Sequence, residues 1–101
     1  MILNSLIIPV YKNEEEIPKL LDVLSTLNTK IKDLEVVFVV DGSPDKSSDL
    51  LNTLLAKTKL RAQLICLSKN FGAMSAIIAG LQESRGTQFA VMAADLQEPI
   101  E

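Results

Sequence analysis

The feature that most restricts the fold of this chain is an alternation between two hydrophobic periods. Leu6-Ile7-Ile8-Pro9-Val10 and Glu35-Val36-Val37-Phe38-Val39-Val40 are continuous runs rich in β-branched residues. That is the pattern of strands covered on both faces in a parallel sheet. Gln63-Leu64-Ile65-Cys66-Leu67 and Gln88-Phe89-Ala90-Val91-Met92 are weaker runs of the same kind. Between the runs, apolar residues recur at helical spacing. Ile17, Leu20, Leu21, Leu24 and Leu27 form one stripe, and Leu50, Leu51, Leu54 and Leu55 mark a second helix. Pro18 fits a helix only in its first turn, so the first helix is predicted to start near Glu16. Ser43 and Pro44 are predicted to open the second helix as N-cap and first helical residue. The third, Phe71 to about Arg85, is small and apolar nearly all round. It is predicted to be sandwiched tightly, with Gly86 as its C-terminal cap.

The order β-α-β-α-β-α-β with short connections predicts a three-layer α/β/α fold. Its core would be a doubly wound, mainly parallel sheet of four strands with three helices. Residues 1–101 read as one unit, without a linker or a change of composition. A fourth strand at the end of such a sheet has a bare edge. Either further chain covers it or a second copy does, as a homo-oligomer joined through the exposed sheet edge.

Composition removes several chemistries. The 101 residues include no His and a single Cys, so His-based triads, His metal sites and disulfide frameworks are excluded. Cys66 reads as a small buried hydrophobe. A net charge of −3 argues against nucleic acid as a partner, which calls for a basic face. No apolar stretch approaches the ~20 residues that span a bilayer, and the opening residues lack a signal-peptide pattern. The expected location is cytoplasmic. Any catalysis would use carboxylates, Lys, Tyr, Ser or a bound metal.

Ligands of open α/β sheets bind beyond the carboxyl ends of the strands. Four polar clusters fall there: Pro9-Val10-Tyr11-Lys12-Asn13, Asp41-Gly42-Ser43-Pro44-Asp45, Ser68-Lys69-Asn70-Phe71-Gly72 and Ala94-Asp95-Leu96-Gln97. Each residue has a plain reading beside a functional one. Asp41 is a turn former or an acceptor for a base or ribose. Ser43 and Asp45 read as helix-start residues. Tyr11 packs, or lies against a planar base. Glu14 belongs to a solvated first turn or reaches the rim. Lys69 is solvated or faces a phosphate. Gly72 serves close packing or ligand approach. Asp95 is a turn residue, or it holds a hard divalent cation, which takes one or two carboxylates plus phosphate oxygens and water. Such a cation neutralises charge on a departing diphosphate.

Together these motifs resemble a known family. Ser5-Leu-Ile-Ile-Pro-Val-Tyr-Lys-Asn-Glu-Glu15 is similar to the opening of family 2 glycosyltransferases of the A-type fold, and Val39-Val-Asp-Gly-Ser-Pro-Asp45 to their second motif. Ser68-Lys-Asn-Phe-Gly72, Ala79-Gly-Leu81 and Ala94-Asp-Leu-Gln-Glu-Pro99 resemble most the branch of dolichyl-phosphate mannose synthase and the bacterial polyprenyl-phosphate glycosyltransferases. The resemblance implies a UDP- or GDP-linked sugar donor, Mg²⁺ or Mn²⁺, and inverting transfer to an acceptor, often a lipid phosphate. It implies that Pro9, Val10 and Tyr11 line the nucleoside pocket, that Asp41 contacts the base and that Asp95 binds the metal. Lys69 to Gly72 would flank the pocket, with Glu14 and Ala94 completing the substrate-binding set.

The family usually has Asp where this chain has Ala93. Its catalytic base lies downstream of Glu101, so the expectation is a donor-binding N-terminal part with no turnover alone. In the full-length protein it would lie in the cytoplasm or on the cytoplasmic face of a membrane. Two alternatives are a nucleotidyltransferase, disfavoured because Pro9 to Glu16 contains no glycine, and a catalytically inactive nucleotide-binding or regulatory module.

Overall fold

The two uninterrupted apolar runs become the two central strands. In the computed structural model, which describes residues 4–95, they are β1 (Asn4–Val10) and β2 (Leu34–Asp41). The Leu96-Gln97-Glu98-Pro99 end of the fourth motif lies outside the described residues. The weaker runs form the edges, β3 (Ala62–Leu67) and β4 (Gln88–Val91). All pairings are parallel, in the order β3-β2-β1-β4, with Leu6 opposite Val36 and Ile8 opposite Phe38. Three helices connect them: α1 (Ile17–Lys30), α2 (Ser47–Leu55) and α3 (Ala73–Glu83).

Strand side chains alternate between faces, and the two faces carry different cores. Leu6, Ile8 and Val10, with Val36, Phe38 and Val40, pack under α1 and α2 against Ile17, Leu20, Leu24 and Leu51. Ile7, Val37 and Val39 point to the other face and meet Ala76 of α3. The doubly wound, three-layer arrangement is therefore as expected. The chain steps from β1 to β2 to β3 and then returns to the far side of β1 for β4. The switch point falls between β1 and β4, where such sheets open a crevice at their carboxyl ends.

Several local expectations are corrected. Helix α3 is not sandwiched. Ala76 and Gly80 face the sheet, but Met74 is 69% exposed and Ile78 48%. The helix has a sheet beneath it and open surface above. It packs closely because Gly80 lacks a side chain: a Cβ there would sit 2.6 Å from Cγ2 of Ile7. Gly86 does not cap α3. The helix ends at Ser84 in extended backbone, and the Gly86 N–H donates to Oγ of Ser5 at 2.8 Å. Helix α2 starts at Ser47, beyond Ser43 and Pro44. Cys66 is exposed, because β3 is an edge strand, and its Sγ lies 3.2 Å from Oγ of Ser48.

At the amino ends of the strands, Glu35 is buried yet fully engaged. Its carboxylate accepts from Oγ of Ser5 (2.7 Å), the Arg85 N–H (2.6 Å) and Nε2 of Gln63 (3.2 Å). Burial pushes its pKa up, but the Arg85, Ser5 and Gln63 hydrogen bonds outweigh this and hold it below the ordinary glutamate value. This network ties the α3–β4 connection to the sheet at the pole opposite the crevice.

Candidate functional site

The site grows from how the strands end. Strand β1 terminates at Val10, and Asn13 then folds the chain back: its Oδ1 accepts from the Tyr11 N–H at 2.8 Å. Lys12, between them, adopts φ +56°, a left-handed conformation uncommon for a residue other than glycine. The loop is fastened to the end of β2. Oγ of Ser43 accepts from the Lys12 N–H (2.9 Å), and Oγ of Ser47 from the Asn13 N–H (3.2 Å). Asp45, one carboxylate behind this fastening, accepts from the hydroxyl of Ser43, from the Ser47 N–H (3.0 Å) and from the Glu14 N–H (3.2 Å). Partial burial raises its pKa, and these hydrogen bonds more than reverse that, lowering it to about 2.

Strand β2 ends at Asp41, which is 2% exposed. Its carboxylate turns toward the loop entering α3. Oδ1 accepts from the Phe71 N–H at 2.9 Å; Oδ2 accepts from the Gly72 N–H at 2.9 Å and from Nδ2 of Asn70 at 3.1 Å. Gly72 precedes the helix at φ +102°, and nothing lies within 4 Å of where its Cβ would be. The glycine is needed for its backbone conformation. Of its two sequence readings, close packing is not what the structure shows, while ligand approach stays open because Gly72 lines the cleft described next.

These strand ends enclose one cleft of about 480 Å³, within the range of small-molecule sites. Pro9, Val10, Tyr11, Asp41, Gly72, Ala94 and Asp95 all line it. Seven residues singled out from sequence thus meet in one place. Val10 and Ala94 are buried, while Tyr11 and Asp95 are exposed at the opening. Two expected members are not among the lining residues. The Glu14 carboxylate instead accepts from the Lys46 N–H at 3.2 Å, and the Lys69 ammonium lies 5.4 Å from the Phe71 ring centroid, a cation–π distance.

Asn13, Ala73 and Ala93 also line the cleft and were not singled out as ligands; Asn70 lines it too, within the Lys69-to-Gly72 segment expected to flank the pocket. The asparagines resemble ordinary cap residues in sequence, and the alanines carry no chemical signal. Among the described residues no group of three His, Cys, Asp or Glu side chains is placed to hold a metal. Asp95 alone fits the case where a hard cation takes one protein carboxylate and the rest of its shell from phosphate and water.

The profile of Glycosyl transferase family 2 matches residues 5–101. The chain belongs to this family. Among curated relatives, the undecaprenyl-phosphate 4-deoxy-4-formamido-L-arabinose transferase of Pectobacterium atrosepticum is 38% identical over 98 residues, covering 96% of this chain and 30% of its own length. The protein of the same description from Pseudomonas paraeruginosa is 36% identical over 100 residues, covering 98% and 30%. The chain therefore spans about a third of the length of the relatives it matches.

Solved structures agree with the fold. S. aureus TarS 1-349 superposes with TM-score 0.82 at 25% identity, over 93% of this chain and 28% of that one. The mannosyltransferase PcManGT from Pyrobaculum calidifontis, solved with GDP-Man and Mn²⁺, gives TM-score 0.85 at 22% identity, over 91% and 27%. The architecture of this family 2 member is that of the GT-A glycosyltransferases.

Proposed function

We propose that the cleft binds the nucleoside diphosphate part of a sugar donor, and that this chain is the donor-binding N-terminal part of a glycosyltransferase. The observation that supports the reading most is convergence: three strand ends and the head of α3 contribute to one cleft, in a chain that belongs to a glycosyltransferase family. Small and apolar walls from Pro9, Val10, Ala73 and Ala93 suit the flat faces of a base and ribose. Tyr11 offers a ring at the opening. Asn13, Asn70 and Asp95 supply polar atoms around them.

Asp95 would be the protein ligand to Mg²⁺ or Mn²⁺, and the bound ion would neutralise charge on the leaving diphosphate. The chain's own residues would supply the walls against which the donor is held. UDP- or GDP-linked sugars are the substrate class, since TarS was solved with UDP and with UDP-GlcNAc and PcManGT with GDP-Man. A polyprenyl phosphate is the proposed acceptor, after the names of the curated relatives. A protein serving that acceptor works at the cytoplasmic face of a membrane, although no helix among the described residues is long and apolar enough to cross one. Among the described residues no strand pairs with the outer side of β4, and this edge is the proposed contact for further chain or a second copy.

Ligand at a hundredfold excess over its Kd stabilises a fold by about 2.7 kcal/mol. Thermal denaturation with UDP or GDP and Mn²⁺ should show a metal-dependent gain in the wild type that Asp95→Ala loses. Equal gains in both proteins remove Asp95 from the metal role. No gain with either nucleotide favours a regulatory module that does not bind nucleotide, or a part too incomplete to bind.

A further inference from the structure

We propose that Asp41 acts on the cleft as a positioning residue, through the loop that leads into α3, and that Gly42 is the surface against which this loop rests. The inference builds on the nucleotide reading above and assigns the work of Asp41 to its protein partners.

A buried carboxylate requires hydrogen-bond partners, and all three that Asp41 has come from one loop: the Phe71 and Gly72 amides and the Asn70 side chain. Nδ2 of Asn70 also reaches the Asp41 carbonyl oxygen at 3.2 Å, so main chain and side chain of Asp41 are both engaged. A carboxylate offers about four lone-pair sites, and three are directed here. The negative charge also lies ahead of the first turn of α3, where the macrodipole favours it.

The neighbouring residue explains why the loop cannot drift. Gly42 has φ +62°, and a Cβ there would run into the backbone of Lys69 and Asn70. The turn after β2 and the turn before α3 touch main chain to main chain. Asn70, Gly72 and Ala73 of that second turn form one wall of the cleft. Gly42 is not among the residues lining it. Two adjacent residues hold this wall in different ways: Asp41, itself at the cleft, draws the loop in, and Gly42, behind it, sets how far it comes.

The test uses Gly42→Ala and Asp41→Asn in the 101-residue chain, read by amide spectra of the free protein and by titration with UDP and GDP in Mg²⁺. Asp41→Asn replaces one accepting oxygen with a donor facing donors. It should move the Phe71 and Gly72 amide resonances without nucleotide and weaken binding about tenfold or more, the scale of one lost charged hydrogen bond. Gly42→Ala should weaken binding comparably, by displacing the Asn70–Ala73 wall, although it replaces no residue that lines the cleft. If Gly42→Ala does not fold, Asn70→Ala, on an exposed turn, must still shift the Gly72 amide.

Phe71 and Gly72 resonances unmoved by Asp41→Asn would overturn the proposal. So would normal binding by Gly42→Ala beside loss in Asp41→Asn, which is the result for direct contact with the base. A wild type that binds neither nucleotide, while its Phe71 and Gly72 amides still answer to Asp41→Asn, would instead overturn the nucleotide reading and uphold the Asp41 loop contact.

Discussion

Glu14 and Asp45 hold each other's loops: the Glu14 N–H donates to Oδ2 of Asp45, and the Glu14 carboxylate accepts from the Lys46 N–H, each at 3.2 Å. The exchange joins the turn after β1 to the turn after β2. Tyr11 and Asn13 lie in the first of these turns and line the cleft. The positions of cleft residues thus depend on carboxylates outside it.

That dependence has a pH signature. The folded-state pKa of Asp45 is about 2, against about 4 for an unfolded aspartate. A depressed carboxylate contributes stability above the unfolded pKa and loses it as pH falls through the folded one. Glu35, also lowered, acts in the same direction. Melting temperature should therefore be flat from pH 7 to 5 and drop between about pH 4 and 2. Asp45→Asn should melt lower at pH 7 and fall less steeply on acidification. A variant with the wild-type slope contradicts the role given to Asp45.

Gly80 makes a second, independent case. A methyl placed there meets Cγ2 of Ile7 at 2.6 Å and Cγ2 of Val39 at 3.1 Å, and β-branched side chains have little rotamer freedom to yield. Gly80→Ala raises helix propensity, yet overpacking should dominate and cost about 1–3 kcal/mol. Urea denaturation reads this directly. A variant as stable as the wild type would mean that α3 can lift off the sheet without penalty.

Much of this architecture was legible in the sequence because its signals were periodic. The runs at Leu6 to Val10 and Glu35 to Val40 specify central parallel strands, and the Ile17–Leu27 stripe specifies a helix face. The convergence of Pro9, Asp41, Gly72 and Asp95 followed from topology alone. What was not legible depends on what covers each element. The composition of α3 does not say that only one of its faces meets the sheet, nor that Cys66 falls on an edge. Glu14 and Lys69 look like rim residues by position, but a carboxylate near an exposed backbone N–H and a lysine near an aromatic ring find nearer partners. The Asp41 loop contact joins residues some thirty positions apart, which no local pattern reports.

The open β4 edge carries Phe89 and Val91, 53% and 48% exposed, on the sheet face that α3 shares. Unpaired apolar edges recruit other chains. The 101-residue chain should shift from monomer toward dimer as its concentration rises in sedimentation equilibrium, and Val91→Lys should remain monomeric over the same range. Wild type and variant alike staying monomeric would leave the edge without a self-association role.

The most direct measurement of the central claim is a residue-resolved ¹H–¹⁵N titration with UDP and with GDP in the presence of Mg²⁺. A shared cleft at the carboxyl ends of the strands predicts saturable shifts grouped at Tyr11 to Asn13, Asn70 to Ala73 and Ala93 to Asp95. Shifts confined to the opposite pole, where Lys30, Lys32, Lys59 and Arg61 surround a polar hollow of about 350 Å³, or no saturable shifts with either nucleotide, would contradict it.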